Sequence, residues 1–179
     1  MNNKIYLIRF QTFSAIFAII LGTFLHFTYN WSKNNLFIGL FSAINESTWE
    51  HLKLLFFPML ITTTIGYFIF QDTFPNFLCS KTIGILTAML FTVIFFYTYT
   101  GIIGTNYAFL NILTFILSVI TSEYVAYILT INNFTLNEIF CISILILLTV
   151  SFFFFTFNPP KINLFKDPIN GSYGIQKNS

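Results

Sequence analysis

Apolar residues run almost unbroken through five stretches of this chain, approximately 6–29, 47–70, 82–100, 107–131 and 138–157, and polar or turn-forming residues separate them. A bilayer core about 30 Å thick takes about 20 residues at 1.5 Å each, so each stretch is long enough to cross. The breaks have local causes: Asp72, Pro75 and Asn76 follow the second stretch, Gly101 and Gly104 turn the chain after the third, and Asn132 and Asn133 separate the last two. LFIGLFSAI at 36–44 is apolar but too short to cross, which predicts a segment lying in the interface or re-entering the protein. Asn45 then reads as the N-cap of the second span, with Glu46 in its first turn, where the helix dipole favours negative charge. After Phe157 the sequence NPPKINLFKDPINGSYGI is too rich in proline and glycine to continue a helix. The pattern predicts an all-α membrane bundle of about five transmembrane helices, with a short interfacial or re-entrant segment after the first. The helical domain covers 1–157, and an extended Pro/Gly-containing tail covers 158–179.

Composition excludes a soluble alternative: 56% of the 179 residues are hydrophobic and 8% are charged, against about a quarter charged in a soluble domain. The net charge of +2 is scattered, with no basic stripe for nucleic acid, so the expected partner is the lipid bilayer. Lys4 and Arg9 precede an apolar run that lacks a small-x-small cleavage site, which reads as a retained first span rather than a signal peptide. Cys79 and Cys141 lack CxxC spacing and are expected as isolated buried thiols. Five spans put Lys4, Arg9 and Lys81 on one face and Lys33, Lys53, Lys161, Lys166 and Lys177 on the other. That count predicts a cytoplasmic tail. Tyr29, Trp31, Trp49, Tyr97, Tyr99 and Tyr107 fall near the tail-side surface as an interfacial aromatic belt.

Polar chemistry is concentrated in residues 26–53, which hold both histidines and both tryptophans. His26 and Asn30 share a face near the end of the first helix. Glu46, Glu50 and Lys53 form an i, i+4, i+7 stripe on the second, with His51 turned about 100° from Glu50. Neighbouring helices bring these into one binding cluster of His26, Asn30, Glu46, Glu50, His51 and Lys53. Imidazole and carboxylate suit a divalent metal, for which His26, Glu50 and His51 are the candidate ligands. The competing reading has Glu50 paired to Lys53 and the histidines hydrogen-bonded at the interface. No HExxH motif is present. Glu123 lies inside the fourth span and costs about 2.5–3.5 kcal/mol there unless protonated or paired. It is an intramembrane carboxylate about 18 Å too deep to share a first shell with His26.

The segments HFTYNWS, GLFSAINESTWEHLKLLFFP, FYTYTGIIG and PPKINLFKDPINGSYGI resemble an uncharacterised family of small bacterial polytopic integral membrane proteins. The resemblance implies a bacterial cytoplasmic-membrane protein and carries no activity. The functions expected from the residues are small-solute or ion-linked binding and transport, or an accessory membrane role. The alternative is a membrane-embedded metal-dependent hydrolase using His26, Glu46, Glu50 and His51.

Overall fold

A computed structural model describes residues 2–175, and the helices fall where the apolar stretches do. They are α1 (Asn2–Trp31), α2 (Leu36–Gly39), α3 (Thr48–Phe70), α4 (Phe77–Ile103), α5 (Ala108–Ile131) and α6 (Glu138–Phe157), followed by a 3-10 turn at Asn163–Phe165. All but α2 are long and apolar enough to cross a membrane. Their outward faces, such as Phe13, Ile16, Ile20 and Phe24 on α1 and Ile146, Leu147, Val150 and Phe154 on α6, are exposed and compatible with lipid contact. The chain is thus built as a multi-pass helical bundle.

Helix α3 is the hub. Leu52, Leu55, Phe56 and Met59 are buried against Ala18 of α1, Ile85 and Ala88 of α4, Val119 of α5 and Phe152 of α6. Helices α4 and α5 form an antiparallel hairpin turned by Gly104 at φ 79°. Two glycines set how closely the helices approach. A Cβ on Gly22 of α1 would stand 2.3 Å from the Leu54 carbonyl oxygen of α3, and one on Gly84 of α4 would stand 2.6 Å from the Ser122 carbonyl oxygen of α5. Small residues at such crossings let backbones pack directly.

Three local readings of the sequence need correction. The N-cap of α3 is Ser47, whose Oγ accepts the Glu50 N–H at 3.4 Å, while Asn45 Oδ1 accepts the Ser47 N–H at 2.9 Å. Two short polar side chains compete for one chain start. The later one caps the helix, the earlier one makes an Asx turn, and Glu46 is left outside the helix between them. Helix α4 begins at Phe77, so Lys81 belongs to its interior and is fully buried rather than on a loop. Cys79 and Cys141 are not isolated thiols: they form a disulfide joining the first turns of α4 and α6, with Cα atoms 5.4 Å apart.

The tail is short of regular structure but not detached. Phe165 packs on Trp49 with ring centroids 4.8 Å apart, and Trp49 also packs on Phe152 at 4.7 Å. Trp49 is therefore a contact inside the protein rather than a member of the lipid-facing belt. Asn45 Nδ2 donates to the Gly174 carbonyl at 3.2 Å, and Asp167 Oδ2 accepts the Glu46 N–H at 3.4 Å. The tail straps the non-helical residues that precede α3.

Candidate metal centre and two buried ion pairs

His26 sits one turn beyond Gly22 on α1, and His51 lies one turn before Leu54 on α3, so the close α1–α3 crossing brings the imidazoles together. Their ring centroids are 5.2 Å apart. Glu46, freed from the helix, reaches both: Oε1 lies 3.9 Å from His26 Nε2, and Oε2 lies 3.4 Å from His51 Nε2. One ligand atom from each residue falls within 4.8 Å of the others. The three side chains are 30–42% exposed, so the centre is reachable from outside the bundle.

The tautomer of His51 is set by its other nitrogen. Nδ1 lies 2.9 Å from the Ser47 carbonyl oxygen, which can only accept, so Nδ1 carries the hydrogen. In the neutral ring Nε2 is then a bare lone pair facing a carboxylate oxygen. That arrangement is satisfied by a proton on Nε2 or by a metal ion between the two, and an imidazole whose second nitrogen is bonded to a backbone carbonyl is the usual support of a metal ligand. Two imidazoles and a carboxylate are a common divalent-metal set that leaves a coordination position open.

Two recesses flank the centre. A cavity of about 80 Å³ is lined by Glu46 and His51 together with Thr92, Asn106, Asn111 and Thr114. A more open groove of about 300 Å³ runs past His26, Glu46 and His51 between α1 and α5, reaching Asn111 and Phe115. Asn111 lines both, and it is held by the Tyr99 hydroxyl on its Oδ1 and by Asn106, whose Oδ1 accepts from Asn111 Nδ2 at 2.8 Å.

Glu50 and Lys53 do not join this centre. Glu50 Oε2 accepts from Lys53 Nζ at 2.6 Å and from the Ile44 N–H at 3.1 Å. Lys53 Nζ also donates to the Gly39 carbonyl at 2.9 Å and to Thr156 Oγ1 at 2.6 Å. This fully buried pair ties α3 to the segment after α2 and to the end of α6. Asn30 is exposed, and its side chain makes no hydrogen bond to the cluster.

Glu123 has the partner its depth requires. Lys81 Nζ donates to Glu123 Oε1 at 2.6 Å and to Oε2 at 2.7 Å, to Ser14 Oγ at 3.1 Å and to Gln11 Oε1 at 3.3 Å. Ser14 Oγ also bonds Glu123 Oε1 and Thr62 Oγ1, each at 2.7 Å. Helices α1, α3, α4 and α5 thus converge on one polar knot. Lys81, Gln11, Ser14 and Thr62 were not among the residues singled out from the sequence.

The chain matches, over residues 2–175, the model of a family described as "Family of unknown function (DUF6512)". No curated protein and no solved structure matches it.

Proposed function

The chain belongs to this family of unknown function, and from its own residues we propose that it binds a divalent transition metal at His26, Glu46 and His51 and uses it to hold a small ligand at the membrane face. The observation that carries this reading is the convergence of His26, Glu46 and His51, with His51 Nε2, a free lone pair in the neutral ring, facing Glu46 Oε2 at 3.4 Å. Zinc-like ions take this donor set, and the ion would supply Lewis acidity toward whatever enters the cavity. Asn106, Asn111, Thr92 and Thr114 share the cavity wall with Leu54, Leu55, Phe96 and Phe115, so a ligand there meets a mixed polar and apolar lining. This supports solute or ion-linked binding over hydrolysis. A hydrolase of this type wants a spare carboxylate as general base, and Glu50 is committed to Lys53.

Orientation follows a second line of support. Disulfides persist on the oxidising side of a membrane, and Cys79 and Cys141 lie at the face that carries the start of α1. With Lys53 and Lys81 buried in ion pairs, the remaining described cations are Lys33, Lys161 and Lys166 on the tail face against Lys4 and Arg9 on the other, a lean toward the tail face. In this reading the tail and the metal centre face the cytoplasm.

Metal titration of the purified protein in detergent, followed by calorimetry and elemental analysis, tests the proposal. Wild type is expected to take up one zinc or cobalt ion per chain, the double variant Glu50→Gln, Lys53→Met to keep it, and His26→Ala or His51→Ala to weaken it at least about tenfold. Equal uptake by wild type and both histidine variants would sink the reading. Acidification is expected to weaken binding, because the imidazoles must give up their protons to the ion.

A further inference from the structure

The Lys81–Glu123 knot lies near the membrane face opposite the metal centre. Lys81 is four residues inside the start of α4 and Glu123 eight residues before the end of α5, or about 6 and 12 Å at the helical rise. The cavity opens at the other end of the same two helices, on Thr92, Asn106, Asn111 and Thr114. Between them α5 presents Asn111, Thr114, Ser118 and Ser122 at spacings of three, four and four residues, which is one helix face. Thr114, Ser118 and Ser122 are buried. Ser118 Oγ is 2.7 Å from Thr92 Oγ1 of α4 and bonds the Thr114 carbonyl at 2.7 Å. One face of α5 thus carries hydroxyls from the cavity to the residue beside Glu123, with Thr92–Ser118 the hydroxyl–hydroxyl bond among them.

Two buried polar atoms near the pair have no partner. Gln11 Nε2 belongs to the amide whose oxygen accepts from Lys81, and Ser122 Oγ precedes Glu123 directly. Gln11 is 4% exposed and Ser122 1%. Buried polar groups of this kind are satisfied in nearly all proteins, and in polar surroundings water is the usual partner. A structural ion pair needs neither of them. Beyond the knot, toward the near face, Asn76 and Thr130 continue the polar series, with Asn76 Nδ2 donating to the Thr130 carbonyl at 3.1 Å.

We propose that Lys81 and Glu123 form a proton-exchange site reached from the cavity along the hydroxyl-bearing face of α5, so that the bundle carries protons between its two faces. In the exchange a Lys81 N–H bond breaks as a Glu123 O–H bond forms, turning ammonium and carboxylate into amine and acid. A proton arriving from the cavity side restores the ammonium. Loss of the Glu123 proton to the near face restores the carboxylate, so one proton enters and one leaves. Lys81 is the one charged group bonded to Glu123 among the described residues; α1 and α3 contribute only Gln11, Ser14 and Thr62. The proposal does not depend on the metal reading.

The test is proton uptake into vesicles of neutral lipid that hold the full-length protein and a pH-sensitive dye, driven by a potassium diffusion potential. Wild type is expected to acidify the lumen at least about fivefold faster than protein-free vesicles, and Glu123→Gln to fall to the protein-free rate. Ser118→Ala, which leaves the charged pair intact, is expected to slow uptake severalfold, and this covers the case in which Glu123→Gln fails to fold. Wild-type uptake at the protein-free rate overturns the proposal, as does unchanged uptake in Ser118→Ala together with a folded Glu123→Gln. His51→Ala that loses zinc yet conducts normally supports it, and separates it from the metal reading.

Discussion

Glu46 and Glu50 are four residues apart in a chain with only six carboxylates, and Ser47 divides their fates. By capping α3 it leaves Glu46 outside the helix, free to turn toward the histidines, and points Glu50 inward to Lys53. Neither member of the buried pair tolerates loss of the other. Lys53→Met is expected to destabilise the protein by about 3–5 kcal/mol, because an uncompensated carboxylate is left beside the Gly39 carbonyl. The double variant Glu50→Gln, Lys53→Met is expected to recover most of that loss. Thermal unfolding in detergent measures both, and a double variant as weak as the single one would show that Lys53 acts through Thr156 and the backbone instead.

At the level of elements, the α1–α3 crossing positions the centre. Gly22→Val pushes against a backbone carbonyl that cannot give way, so it is expected to lower zinc affinity as well as the unfolding midpoint. An unchanged affinity would mean that the histidines meet by loop adjustment and not by helix packing. The disulfide is expected to act differently. Cys79 and Cys141 are 62 residues apart, and closing a loop of that order is worth about 4 kcal/mol in the chain-entropy account. Cys141→Ser should therefore lower stability while leaving zinc affinity within about twofold, since the bond lies at the far end of the bundle. The spans themselves were legible because a bilayer imposes one length and one polarity on them; a short connection grouped His26, Glu46, Glu50 and His51, but periodicity made Glu50 the candidate ligand, and it is committed to Lys53 while Glu46 lies outside the helix. Lys81 was not legible. Assigned to a loop by its neighbours Asp72 and Pro75, it hid the partner of Glu123, although two opposite charges inside consecutive antiparallel helices are each other's natural counter-ion. The two cysteines carried a similar signal, each within the first turn of a helix that starts on the same face.

Across the whole molecule, polar chemistry is arranged in three stations of different character. The exposed His–Glu centre is open to ligands, the Glu50–Lys53 pair is locked between α3 and α6, and the Lys81–Glu123 knot carries unpartnered amide and hydroxyl groups. The tail adds a connection from outside the helices. Its Asp167 holds the Glu46 backbone and its Gly174 holds Asn45, so residues separated by more than a hundred positions hold the segment that carries the carboxylate of the candidate centre. Equilibrium linkage then runs in both directions: whatever the docked tail adds to metal affinity, bound metal returns to tail docking by the same factor. Zinc is expected to slow proteolytic clipping within 166–175 in wild type and to have no such effect in His51→Ala. The tail of this membrane protein would thereby report, on its water-facing side, whether the centre is loaded.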